Sequence, residues 1–332
     1  MSRSLNEHEI RPPDLMKISS KLHDRDLLMF KKDKMIKVNC PACTSSDYCY
    51  LFTKKKFEYV SCNKCLTVFI NPRPSQKSLE IFYKSSESMA FWDKIYQKTE
   101  MVRKEKIFRP RIKIVKKILK KYNIKNCNKL IEVGCGYGWF CELAREQKLA
   151  NKIVAIEPSP SFASSCRKIR GIKVIQSTIE KYGHKLDSDI IVNFELIEHL
   201  FSPRTFLDSC YKGLRAGGVF ICSTPNFYGL DILILKEKSD NVNGPNHLNY
   251  FNPTSIELLL KSVGFRNIDV ITPGLMDVQI IVNKIRVGEL KAKDYPFFGM
   301  LIEHGKEDFI NEFQSLIQKY KMSSHMVVSA QK

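Results

Sequence analysis

The chain has 332 residues, 43% hydrophobic and 27% charged, a globular composition long enough for one large domain with a small one beside it. No apolar run approaches the roughly 20 residues of a membrane span, and the polar, acid-bearing start lacks the apolar core of a signal peptide, so a cytoplasmic protein is expected. The net charge of +19 suits anionic partners: nucleic acid, acidic lipid surfaces, acidic or nucleotide-linked sugars.

Residues 1–35 read as a charged N-terminal arm, with Pro12-Pro13 ahead of a short helix. Residues 36–74 hold two C-x2-C pairs and stop at the turn-rich Asn71-Pro72-Arg73-Pro74. Residues 75–128 read as a helical linker. Within it, Arg103 to Lys129 carries twelve Lys/Arg and one acid, Glu105. Ile112, Val115, Ile118, Leu119 and Tyr122 recur there at helical spacing, which leaves the lysines on a solvated face. A polyanion-binding face is the competing reading.

From residue 129 the pattern alternates. Apolar runs at 130–133, 153–156, 173–175, 189–193 and 218–223 are separated by helical stretches, which argues for a parallel, doubly wound sheet. A helix at 253–263 stops at Gly264. Two further strands are expected at 268–271 and 326–329, with an insertion of about 274–322 between them that contains one helix, at 309–320.

Cys40, Cys43, Cys62 and Cys65 form C-x2-C-x18-C-x2-C, a spacing suited to a four-thiolate zinc site. Tyr50, Phe52, Phe57, Tyr59 and Val60 would form a hairpin bringing the two knuckles together. A closed sulfur shell makes the zinc structural. Thr44 and Leu66 stand where zinc knuckles usually have glycine, so both must adopt positive φ or a different turn. The other seven cysteines lie singly and read as small buried hydrophobes.

Between the first strand and its helix lies Glu132-Val133-Gly134-Cys135-Gly136-Tyr137-Gly138. Glycines there permit a sharp turn and close approach of a ligand to the backbone. The helix N-terminus beyond offers N–H groups to a carboxylate, and Glu132 can accept from an ammonium group. Glu157, at the end of the next strand and nineteen residues past Gly138, sits where an acid reads ribose hydroxyls. The G-x-G-x-G spacing and Pro158 lean away from a dinucleotide.

These residues resemble class I S-adenosylmethionine-dependent methyltransferases over about residues 129–332. The resemblance implies an α/β fold with a Rossmann-like seven-stranded sheet, preceded here by a small zinc-ribbon-like β module and a helical N-terminal region. It implies cofactor contacts from Glu132, Gly134, Cys135, Gly136, Gly138, Glu157 and Pro158. Thr178 and Ile179 fall beside the adenine, in a loop without the Asp often found there. Asn193, Phe194 and Glu195 fall beside the methionine part. Cysteine ribbons ahead of such a domain resemble two groups. One is methyltransferases of polysaccharide and nucleotide-sugar pathways, which share a Pro-Arg-Pro-like stretch and a Phe-Tyr segment, here Pro72-Arg73-Pro74 and Phe82-Tyr83. The other is a ribosomal RNA guanine methyltransferase type, which the basic charge would suit. Asn193-Phe194-Glu195-Leu196 does not match the motif for adenine amino methylation, and Pro225-Asn226 lacks the cysteine needed for cytosine C5 methylation.

A hydroxyl or carbon acceptor needs a base, and histidine suits that role near neutral pH. His199 and His247 are the candidates, with Tyr250 as a proton relay and His325 as a weaker third. Glu195 and His199 are four apart and would share one face of a helix. The expected activity is methyl transfer to an O or C atom of a sugar or nucleotide-linked sugar. The alternatives are RNA base methylation and a non-catalytic cofactor-binding module.

Overall fold

The computed structural model describes residues 7–31, 33–305 and 307–332, so the first six residues of the arm lie outside it. The arm forms α1 (Glu7–Ile10) and α2 (Pro13–Asp26), with proline at the first turn of α2, where no N–H is missed. Small strands β1 (Tyr48–Lys54), β2 (Phe57–Cys62) and β3 (Val68–Ile70) follow, then α3 (Gln76–Ser85) and α4 (Glu87–Lys98). Asp26 at the end of α2 accepts from the N–H groups of Glu87 (3.0 Å) and Ser88 (2.8 Å), so an anion caps α4 and fixes the arm to it. After α5 (Glu100–Arg103) a π-helical turn leads into α6 (Arg109–Lys121).

The large sheet uses β4 (Lys129–Val133), β5 (Lys152–Ile156), β6 (Ile172–Ile175), β7 (Ser188–Phe194) and β8 (Leu214–Pro225), with α7 (Trp139–Glu146), α8 (Pro160–Arg167) and α9 (Pro203–Gly213) between them. The chain continues through α10 (Leu230–Leu235), β9 (Asn249–Tyr250), α11 (Pro253–Val263), β10 (Arg266–Ile271), α12 (Asp277–Arg286), α13 (Pro296–His304), α14 (Glu307–Lys319) and β11 (His325–Gln331). The sheet order is β10-β11-β8-β7-β4-β5-β6; β4 to β8 are parallel and β11 is antiparallel to both its neighbours. This is the seven-stranded Rossmann-like sheet. Both faces are covered, so alternate residues of one strand enter opposite cores: Leu130 packs with Phe140 and Ile190, Ile131 with Phe206 and Leu259.

Two expected boundaries shift. Helix α6 is no linker. Ile112, Val115, Ile118 and Leu119 enter the same core as Leu130 and Phe140, so α6 is a layer of the large domain. The ribbon is not free-standing either. Its sheet runs β1-β2-β3-β9, and β9 comes from the loop after β8. The insertion carries α12 and α13 besides the single helix expected there. Val278, Ile281, Phe298, Leu301 and Ile317 form its own core, against Leu230 and Ile234 of α10. Asp277 ties its two ends, accepting from Gln314 Nε2 (2.8 Å) and Ser323 Oγ (2.6 Å). Among the described residues no helix is long and apolar enough to cross a membrane.

Candidate functional site

The strand order reverses direction at β4, and ligands of open α/β sheets bind at the strand C-termini beside such a point. The glycine segment lies there. Gly138 has φ 78° and is the N-cap of α7; a Cβ on it would stand 2.6 Å from Cys166 Sγ and 2.8 Å from Ile169 Cδ1. Gly136 has φ 53°, and a Cβ there would meet nothing within 4 Å, so this glycine borders open space. Glu157 fastens the loop: its carboxylate accepts from the N–H groups of Gly136 (3.0 Å) and Ser159 (2.9 Å). Burial nevertheless raises its pKa against those two bonds. Pro158 is exposed in the turn that passes β5 to α8.

Glu132 is buried, and the Cys141 thiol donates to its Oε2 at 3.0 Å. Burial pushes its carboxyl to about 8. Cys135 is packed in the core beneath the loop. Asn193 is fully buried, and neither its amide oxygen nor its nitrogen has a partner among the described residues. Such a group is costly in the free protein and suits a polar ligand. Phe194 packs at a tilt against Phe140 (centroids 4.8 Å apart) and lies beneath the Arg111 guanidinium (4.8 Å). On the adenine side, Thr178 is exposed while Ile179 turns into the core with Phe206 and Leu207. The Ile179 side chain is therefore unavailable to a ligand.

The segment after β7 is not the helix expected. Glu195 has φ 51°, in the left-handed region, and only Ile197–His199 forms a 3-10 turn, so Glu195 and His199 do not share a helix face. Glu195 instead collects partners from distant segments. Its Oε1 accepts from Ser223 Oγ (2.5 Å) and stands 3.5 Å from both Arg111 Nη2 and His325 Nδ1. Burial would raise its carboxyl, but His325, Arg111 and the Ser223 hydroxyl outweigh it and hold the group below its ordinary value. Arg111 was hidden in the lysine-rich run. The one signal was its place among the apolar positions of α6.

His199 and His247 meet, with ring centroids 4.8 Å apart and edge to face. His199 Nδ1 lies 2.7 Å from the Asn246 carbonyl, and His247 Nδ1 lies 2.8 Å from the Asn241 carbonyl. Burial lowers the pKa of both; His247, also repelled by His199, is pushed to about 3. Both are thus neutral near pH 7. Glu198, 1% exposed, accepts from Thr224 Oγ1 (2.9 Å) through Oε2, and its Oε1 has no partner. Burial, then Glu195, push its carboxyl well up. Tyr83 of the Phe-Tyr segment donates to the Asn246 carbonyl (3.1 Å). Tyr250 does not fit the relay role. It is 1% exposed in the ribbon core, and its hydroxyl accepts from the Asn243 N–H (3.0 Å).

The ribbon supports this loop. Cys40 and Cys65 sulfurs are 3.4 Å apart, Cys43 and Cys62 sulfurs 3.5 Å, and all four lie within 4.8 Å of one another. A tetrahedral zinc with bonds near 2.3 Å separates its sulfurs by about 3.8 Å, so the four fit the ion. Thr44 (φ 63°) and Leu66 (φ 60°) take the positive φ their positions require. Asn252 Nδ2 donates to the Cys65 (3.1 Å) and Leu66 (3.2 Å) carbonyls, while its Oδ1 caps α11. Arg73, 1% exposed, donates to the Ile70 carbonyl (3.1 Å) and Asn249 Oδ1 (3.1 Å), which fixes the Pro-Arg-Pro stretch to β9.

Comparison with known proteins agrees with this geometry. A family model described as "Methyltransferase domain" matches residues 103–270, just over half of the chain. A probable S-adenosylmethionine-dependent methyltransferase of Mycolicibacterium smegmatis is 27% identical over 138 residues, 41% of this chain and 51% of that protein. A ubiquinone biosynthesis O-methyltransferase of Maricaulis maris is 30% identical over 105 residues, 30% of this chain and 41% of that protein. The chain thus spans about half the length, or less, of these curated relatives. The solved plantazolicin methyltransferase, in complex with a triazolic desmethylPZN analog and SAH, shares the fold with a TM-score of 0.50 at 13% identity, over 76% of this chain and 94% of that one. With a glycine turn and two carboxylates at the switch point of a seven-stranded sheet, and a family match that starts before α6 and ends in β10, the chain belongs to the methyltransferase-domain family.

Proposed function

We propose that the chain transfers a methyl group from S-adenosylmethionine to an oxygen or carbon atom of a small hydroxylated acceptor, a sugar or nucleotide-linked sugar. The observation that carries the donor half is the buried, unpartnered Asn193 amide at the end of β7, the strand beside β4 and its glycine turn. Bound there, the cofactor supplies an already activated sulfonium methyl. Glu132 would accept from its ammonium group, Glu157 from its ribose hydroxyls, and the N-terminus of α7 would face its carboxylate. The protein's part is alignment and exclusion of water.

The acceptor reading rests on where the charges are. The exposed Lys116, Lys117 and Lys120 occupy the outer face of the later turns of α6, which lead into the N-terminal end of β4, whereas Arg111 at its start reaches Glu195. The glycine turn is at the other end of that strand, about 16 Å away at some 3.3 Å per residue. That placement favours a small acceptor over RNA. The strand C-termini are met by the ribbon-supported His247 loop, with the insertion beside it on α10. Oxygen as the target is supported by the likeness to ubiquinone biosynthesis O-methyltransferases.

Titration calorimetry of the zinc-loaded protein with S-adenosylmethionine tests the donor half, and absence of binding would sink the enzyme reading. Tritiated-methyl transfer against nucleotide sugars, polysaccharide precursors and RNA tests the acceptor. Label entering RNA alone would overturn the sugar assignment.

A further inference from the structure

We propose that Glu198, His199 and His247 form a second metal centre, a two-histidine, one-carboxylate site for a divalent first-row ion on the acceptor side of the cleft. One ligand atom from each of the three lies within 4.8 Å of the other two. Each imidazole is already oriented as a metal ligand would be. Its Nδ1 faces a main-chain carbonyl, Asn246 at 2.7 Å for His199 and Asn241 at 2.8 Å for His247. That bond places the ring hydrogen on Nδ1 and leaves the Nε2 lone pair free. Glu198 is held in the same way. Thr224 Oγ1 fixes Oε2, while the buried Oε1 has no hydrogen-bond partner. This Oε1 stands 3.8 Å from His199 Nε2, too far for a hydrogen bond. Two ligands each about 2.1 Å from a tetrahedral ion are about 3.4 Å apart, so a small closure would seat one.

The donor set differs in kind from the ribbon's. Four thiolates close their shell around zinc, whereas three ligands of nitrogen and oxygen leave coordination positions open. The segment that carries Glu198 and His199 reaches the methyl-donor turn: Leu196, two residues before Glu198, is the side chain a Cβ on Gly134 would touch at 3.0 Å. The ligand class is an acceptor hydroxyl with a second oxygen adjacent, as in a vicinal diol. Coordination makes the hydroxyl more acidic. Its proton passes to water. The oxygen pair then forms the new C–O bond as the S–CH3 bond breaks and leaves its electron pair on sulfur. A methyl ether and a thioether result. The acceptor role rests on the methyl-transfer reading above; the metal site itself does not.

The experiment titrates the full-length protein, brought to one zinc per chain so that only the four-thiolate site is filled, with Mn2+, which carboxylate and imidazole donors can hold and a four-thiolate site does not prefer. The loss of the free Mn2+ resonance should count one ion per chain, with zinc content unchanged. Pulsed resonance on the same sample should show nitrogen couplings from two imidazoles. Glu198→Gln, His199→Asn and His247→Asn should each weaken Mn2+ binding at least tenfold. The proposal is overturned if no Mn2+ binds, if bound Mn2+ shows no imidazole coupling, or if folded variants bind it like the parent. The coupling is read on the parent protein, so an unfolded variant leaves the test intact. Calorimetry with S-adenosylmethionine reports separately on the methyl-donor reading.

Discussion

On the proposed reading, the donor and acceptor halves of the cleft are built by different means. The donor half is local. A strand, a turn and a helix supply Glu132 and the glycines, and the next strand supplies Glu157, whose carboxylate bonds back to the Gly136 N–H at 3.0 Å. The acceptor half is assembled from the whole chain: Tyr83 on α3, Arg111 on α6, Glu195 to His199 after β7, His247 before β9 and His325 on β11. The ribbon holds the His247 part of this set, because β9 is its fourth strand and Asn252 bonds its second knuckle, while Ser223 and Arg111 hold Glu195. Local construction makes donor binding robust. Assembly from distant segments would make the acceptor half dependent on the cysteine module.

Removing that support should have the largest effect. Metal binding contributes on the order of 10 kcal/mol to the folding of small zinc modules. Cys62→Ser should therefore take zinc, counted by elemental analysis, from one per chain to none and lower the melting temperature. Methyl transfer should fail while some S-adenosylmethionine binding survives. Full zinc content with an unchanged melt would contradict the four-thiolate site. Equal loss of donor binding would show that the two halves are not separable.

Within the donor half, the charge of Glu132 should come next. Burial raises its carboxyl to about 8 in the folded chain from an ordinary value of 4.5. The native state therefore holds a proton that the unfolded state has released. The stability it contributes is complete below about pH 4.5 and is lost as pH rises through about 8. A cofactor ammonium group favours the carboxylate, so binding at pH 7 should release a proton. Calorimetry in buffers of different ionisation enthalpy reads that proton. Glu132→Gln should abolish the release and weaken the cofactor by about 2–5 kcal/mol, the cost of unpairing a buried charge. Unchanged affinity would remove Glu132 from the site.

Two glycines sharpen the comparison further, since one holds structure and the other faces ligand. Gly138→Ala forces a methyl onto Cys166 and Ile169 at positive φ, and should cost about 3 kcal/mol of stability. Gly136→Ala meets no atom and should cost only about 1 kcal/mol, from its φ. Its methyl enters the space assigned to the cofactor, so affinity should fall more than stability. Denaturant melts of both variants beside their cofactor titrations check this. Equal ratios of the two losses would refute the division.

The sequence disclosed what is local. The glycine turn, Glu157 at its spacing, the paired cysteines and the alternating strands are each short-range patterns, and the sheet is where they point. Knuckle geometry left Thr44 and Leu66 either positive φ or a different turn, and they take positive φ. What stayed hidden depends on long-range contact. A two-residue strand such as Asn249–Tyr250 has no period to detect, so the ribbon's fourth strand and the burial of Tyr250 were out of reach. The four-residue step from Glu195 to His199 suggested a helix, but the left-handed Glu195 interrupts it. Arg111 sits in the same basic run as exposed lysines, and only tertiary packing over Phe108 and Phe194 separates its half-buried guanidinium from them.

The smallest effect is expected where charge is densest. Lys116 and Lys120 lie one turn apart on the exposed face of α6; Lys116 reaches only Gln147 Oε1, at 2.8 Å. The double change Lys116→Glu, Lys120→Glu should leave stability within about 0.5 kcal/mol, as surface substitutions usually do. Transfer to a small acceptor should stay within about twofold, because this face is at the opposite end of the strand from the glycine turn. RNA would behave otherwise. Each lost phosphate contact reduces the salt slope of binding by about 0.7 to 0.9, so two reversed charges would weaken an RNA complex and flatten its dependence on ionic strength. Measuring turnover of the double variant across a salt series therefore decides whether the lysine-rich face belongs to the acceptor half or is only the solvated outside of a helix.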